Sequence, residues 1–115
     1  MDRHLSTQYQ SKLKRVNIAG VNEVAWDLYL LMDFLDDKES DFYAILGVDV
    51  LIKTNDNEMS YTYDQCSIDS RRQGESFTEF CKRSKGYILA YLNSYPTTDK
   101  HMFILIMTTE ITAGF

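Results

Sequence analysis

The chain is poor in the residues that build reactive or covalently stapled sites. Its 115 residues include two cysteines, two histidines, one tryptophan and one proline. Cys66 and Cys81 form no CxxC pair, and the two histidines stand apart from them, so no four-ligand zinc site at short paired spacings can be assembled. Each cysteine reads as a small hydrophobe in or near the core, reduced rather than cross-linked. His4 lies in the basic N-terminal helix or arm and His101 opens a strand. Neither has the sequence context of a catalytic base, and both read as surface residues. Neither GxxxxGK[ST] nor GxGxxG occurs. The longest nearly apolar stretch, residues 24–35, is interrupted by Asp27 and Asp33 and is too short to span a bilayer. No apolar signal-type region opens the chain, and a soluble cytoplasmic protein is expected. No low-complexity tract appears. Order is therefore expected outside the first dozen residues and the extreme C-terminus.

What the chain does have is a changing hydrophobic period. Apolar residues recur at helical spacing over residues 22–35, with Val24, Leu28, Leu31 and Leu35 on one stripe and Asn22 as the expected N-cap. Residues 42–54 and 59–68 read as two strands around the polar turn 55–58. In the second strand Met59, Tyr61 and Tyr63 alternate with Ser60, Thr62 and Asp64, which predicts one buried and one wet face. Gly47 suggests a bulge or a close backbone approach. Ser76-Phe77-Thr78-Glu79 matches a capping box, which predicts a helix over 77–93 with Phe77, Phe80, Cys81, Ser84, Ile88, Tyr91 and Leu92 inward. Gly86 within it suggests close packing or a bend, and Pro96 lies beyond its end. Residues 101–109 form the last strand. Their run 102–107 is apolar at both parities, as in a central strand covered on both faces.

The order helix–strand–strand–helix–strand predicts a small single α+β domain, a three-stranded sheet packed by two main helices. At 115 residues the chain is long enough to bury a core without a metal or disulfide. Residues 1–20 are set apart as a basic N-terminal helix or arm, with Leu5, Tyr9, Leu13 and Val16 on one stripe and Asp2 as cap. Residues 21–115 form the domain.

Charge is unevenly spread around a net of −5. Residues 23–64 hold eleven acids against Lys38 and Lys53, a net of −9. Residues 71–85 hold five bases against Glu75 and Glu79, a net of +3. The first helix is too apolar for an ordinary one-faced surface helix, so part of it is expected to meet another protein. Trp26, Tyr29, Leu30 and Phe34 are the expected anchors, because large aromatics dominate interface energies. The acids Asp36, Asp37, Glu39 and Asp41 are expected in a loop, since they would oppose a helix dipole. They lack the glycine and terminal glutamate of a calcium loop.

These features predict a non-catalytic protein-binding module: a small adaptor, inhibitor or immunity-type protein with an acidic surface and an apolar helix. The expected contacts are Trp26, Tyr29, Asp33, Asp36 and Asp37, facing a basic protein partner. No cofactor, metal, membrane or direct nucleic-acid partner is expected. Two alternatives have sequence support. A structural subunit would bury the apolar helix and the two-faced strand in a homo-oligomer. A metal-dependent phosphodiesterase or nuclease would use Asp49 and Asp64, with Glu58 and Lys53 nearby on the hairpin.

Overall fold

Twelve residues, Ala44–Asn55, form β3, the strand on which the rest is assembled. A computed structural model describes residues 5–110 except Asp56. His4, the expected cap at Asp2 and residues 111–115 lie outside the described residues. In chain order the elements are α1 (Thr7–Gln10), β1 (Lys14–Arg15), β2 (Val24–Ala25), α2 (Leu28–Asp36) and a 3-10 turn (Lys38–Phe42). Then come β3, β4 (Glu58–Ser67), α3 (Phe77–Ser94) and β5 (His101–Thr108). The fold is α+β, with a three-stranded antiparallel sheet in the order β4-β3-β5 and a small β1-β2 pair.

The central strand is thus β3 and not β5, which corrects the expectation for the last strand. Val48, Val50 and Ile45 of β3 join Phe103, Ile88, Leu92, Leu31 and Phe34 in the main core under the helices. Leu51 of β3 and Met102 and Ile104 of β5 face the other way, where they pack with Val16, Ala25, Ile18 and Val21. Residues 16–25 therefore cover the second face. Much of the apolar character of β5 has its cause here, since both faces of its first half are packed within one chain, whereas Ile106 further along is exposed. Its outer edge is met at one point: Trp26 and Phe103 exchange both backbone hydrogen bonds, at 2.7 and 2.8 Å.

That pairing moves the start of the first main helix. Val24 and Ala25 are strand, paired with Arg15 and Lys14, and the helix begins only at Leu28. Its N-cap is Asp27, whose Oδ1 accepts the Leu30 N–H at 2.8 Å, in place of the expected Asn22. The expected N-terminal helix is likewise reduced to the single turn α1 followed by β1. Tyr9 is nonetheless buried among Trp26 and Phe34, with ring centroids 6.1 and 5.1 Å away. Of the acids expected in a loop, Asp36 is the last residue of α2, and Asp37, Glu39 and Asp41 cap or form the 3-10 turn. Asp37 caps it, its Oδ1 accepting the Glu39 N–H at 3.1 Å.

Local signals placed the remaining elements close to expectation. Ser76 and Glu79 make both bonds of the capping box at the start of α3, and Phe80, Cys81, Ser84, Ile88 and Leu92 are its buried residues. The Ser84 hydroxyl accepts the Ile45 N–H at 3.0 Å, beside the register shift between Ile45 and Gly47. At Gly47 an added Cβ would lie 2.8 Å from the Cys66 carbonyl oxygen, so the strands approach too closely for a side chain. Gly86, by contrast, faces open space, so close packing does not account for it. Lys85 ties α3 to the 3-10 turn, donating to Ser40 Oγ and Asp41 Oδ1 at 2.7 Å each.

Candidate functional site

The helix α2 buries Leu30, Leu31, Phe34 and Leu35 and leaves a narrow ridge outside. Positions 29, 33 and 36 are four and three residues apart, the spacing that places side chains on one helix face. Tyr29, Asp33 and Asp36 occupy them, and all three are exposed. Tyr29 is 85% exposed, on a helix whose other large side chains point inward.

Two clefts flank the ridge. One, of about 370 Å³, lies between the start of α2 and the α3–β5 connection, and Tyr29, Leu28, Thr97, Asp99 and His101 line it. There the His101 Nδ1 accepts the Thr98 N–H at 2.9 Å. The other, of about 330 Å³, lies between α2 and α3, with Met32, Leu35 and Leu89 forming an apolar floor beside Asp33 and Asp36. These volumes are at the small end of ligand pockets. Their composition, apolar patches edged by carboxylates and one exposed ring, can bury a protein surface and order its charges. In the first cleft the Thr98 hydroxyl also stands 3.1 Å from the same His101 Nδ1.

The other two expected contacts are placed differently. Trp26 is 2% exposed and packs on Phe34 at 5.0 Å, so it is a core residue and not a surface anchor. Leu30 and Phe34 are also buried. Their common cause is the strand pairing of residues 24–26, which turns the indole inward. Asp37 is half-buried and already engaged. Its Oδ2 accepts a hydrogen bond from the Tyr9 hydroxyl while its Oδ1 caps the 3-10 turn. Burial and the carboxylate push the Tyr9 phenol up to about 12, and the same bond holds Asp37 below the usual carboxylate range. Asp37 therefore fastens residues 5–10 to the domain, with help from Glu39, whose Oε2 accepts the Ser6 N–H at 2.7 Å.

Of the hairpin carboxylates, Asp49 and Asp64 line one shallow hollow at the β4 edge. Among the described residues no group of three or more His, Cys, Asp or Glu could hold a metal ion. Two of the bases of residues 71–85 are engaged inside the fold. Arg83 makes a two-point ion pair with Glu75, at 2.8 and 2.9 Å, and holds that carboxyl down to about 2. Lys85 is held by Ser40 and Asp41. Among the described residues no helix is long and apolar enough to cross a membrane.

Sequence reasoning missed Tyr63. Expected on the buried face of β4, it is 88% exposed at a bulge with φ +68°. Regular alternation in the sequence gave no sign of the extra residues that lift it out of the sheet.

Among curated proteins and among solved structures, no significant match to the chain was found. The profile of one protein family, Immunity protein 40, matches residues 12–108. That span contains every strand and both main helices. The chain belongs to the Immunity protein 40 family, and it is accordingly an immunity-type protein, of a typically non-catalytic kind, whose partner is a protein toxin.

Proposed function

We propose that this immunity protein neutralises its toxin by direct binding through the outer ridge of α2. Tyr29 is the anchor, and Asp33 and Asp36 form the charged rim. The observation that carries this reading is the exposure of Tyr29, a large amphipathic ring between two clefts on a helix that is otherwise packed inward. Burying such a ring at an interface centre typically contributes on the order of 2–4 kcal/mol, a large share from one residue. The carboxylates raise the encounter rate with a basic surface and penalise acidic ones. A basic toxin surface is the matching partner, given the net of −9 over residues 23–64.

Trp26 and Asp37 act indirectly in this scheme. Trp26 fixes the β2–α2 junction, its backbone bridged to Phe103 and its indole packed on Phe34, and Asp37 fixes the opposite end of the helix through Tyr9. A ridge held at both ends is preorganised, which lowers the ordering cost of binding.

Co-expression with the cognate toxin tests the reading. The wild-type chain restores growth, whereas a Tyr29→Ala/Asp33→Asn/Asp36→Asn variant with an unchanged circular dichroism spectrum does not. Full protection by that variant would overturn the assignment of the ridge.

A further inference from the structure

The edge strand β4 carries a residue whose conformation opposes folding and whose side chain is almost wholly exposed. The register pairs Asp49 with Gln65 and Leu51 with Tyr61, which sets residues 62–64 against Val50 alone. The Thr62 hydroxyl donates to the Val50 carbonyl at 2.9 Å and accepts the Asp64 N–H at 3.0 Å, closing the bulge from inside. Tyr63 at its tip adopts the left-handed region, with φ +68°. Glycine occupies that region without steric cost, whereas a residue with a bulky side chain is strained there. Burial does not offset the strain, because the ring is 88% exposed. Within the chain the ring meets Tyr61, and most of its surface is left for a contact outside.

The surroundings define that contact. Tyr61 and Tyr63, with ring centroids 6.2 Å apart, border a hollow of about 250 Å³ together with Asp49, Asp64 and Gln65. Neither carboxylate forms an ion pair among the described residues. Asp49 is half-buried and Asp64 accepts the Tyr95 O–H at 2.7 Å, so Asp64 is held in place. Tyrosine faces attract cations, and carboxylates bind guanidinium or ammonium groups through charge-assisted hydrogen bonds. An anionic occupant would be repelled by both acids. An apolar one would strip water from them without replacing its hydrogen bonds.

We propose that this hollow receives a cationic side chain, arginine or lysine, from the toxin and so forms a second contact beside the α2 ridge. The proposal rests on the reading of the chain as a direct toxin binder. The two sites are linked through packed side chains. Tyr95, bonded to Asp64, meets the His101 ring edge-on at 5.3 Å, and His101 lines the cleft beside Tyr29.

The test titrates the ¹⁵N-labelled full chain with N-acetyl-argininamide at constant ionic strength, with N-acetyl-norleucinamide as the uncharged control. Saturable shifts are expected at the amides of Asp49, Tyr61, Tyr63, Asp64 and Gln65 with the arginine compound only. Tyr63→Gly and Asp49→Asn/Asp64→Asn should each weaken them at least tenfold, and Tyr63→Gly should also raise the unfolding midpoint. Shifts that fail to saturate, that appear equally with the norleucine compound, or that survive both substitutions would overturn the proposal. Toxin titrations keep it separate from the ridge. If the Asp49→Asn/Asp64→Asn variant binds toxin as tightly as wild type while Tyr29→Ala does not, the hollow is excluded and the ridge stands. The reverse pattern excludes the ridge.

Discussion

Trp26 and Tyr29 are large aromatics three residues apart, and the structure predicts opposite consequences for their loss. Trp26 is 2% exposed and touches Tyr9 and Phe34. A buried aromatic of this size removes about 200 Å² from water, which at about 25 cal/mol/Å² sets an upper limit near 5 kcal/mol. Truncation to alanine in a packed core typically costs about 3–5 kcal/mol. Tyr29 is 85% exposed, and its truncation should stay within about 0.5 kcal/mol. Urea unfolding measures both. With a slope of about 1.5 kcal/mol/M, Trp26→Ala lowers the midpoint by roughly 2–3 M, and Tyr29→Ala shifts it by less than about 0.4 M. A domain of ordinary stability, about 5–15 kcal/mol, retains a measurable folded population after the first change only if it starts above the lower limit. Trp26→Phe, with its smaller loss, serves as the second variant. A loss below about 1 kcal/mol at Trp26→Ala, or above about 2 kcal/mol at Tyr29→Ala, would refute the division between core and surface.

Gly47→Ala should destabilise by about 1–3 kcal/mol, because its Cβ meets backbone at 2.8 Å, while Gly86→Ala in open helix should stabilise by up to about 1 kcal/mol. Thermal melts that moved in the same direction would contradict this pair. The Glu75 carboxyl sits at about 2 in the folded chain against an ordinary 4.5, so the unfolded chain takes up its proton first as pH falls. The contribution of the Arg83 pair is therefore complete above about pH 4.5 and lost on approaching pH 2. Glu75→Gln should flatten acid unfolding in that window, and an unchanged acid profile would count against it. Burial pushes the Cys81 thiol up to about 11, so at neutral pH it should react with a disulfide reagent only as fast as the chain opens. Labelling faster than global unfolding would show the site to be more open than described.

The parts of the fold that were readable are those decided locally. The capping box at Ser76 and Glu79, the helical stripe from Phe80 to Leu92 and the polar turn after β3 are short-range features, and the structure places them within a residue or two of expectation. Residues 24–26 were not readable, because Val24, Ala25 and Trp26 are compatible with either period. Their state is set by backbone pairing with Phe103 and with residues 14–15, contacts distant in sequence. The same pairing places Trp26 in the core, where helical spacing alone would present it as an anchor. Strand order was hidden for a related reason: an apolar run reports coverage of both faces, and here residues 16–25 supply one of the covers. The exposure of Asp33 and Asp36 is legible because they interrupt an apolar helix. Tyr63 was not, since a bulge in β4 depends on its register against β3 and leaves the alternation of the sequence intact.

The central claim is that the α2 ridge is the toxin-binding surface. Calorimetric titration of the purified toxin with wild-type chain and with Tyr29→Ala/Asp33→Asn/Asp36→Asn tests it most directly. Stoichiometric binding is expected for wild type, with an affinity loss of at least about 100-fold in the variant, equivalent to about 2.7 kcal/mol. Equal affinities, with both proteins folded, would contradict it.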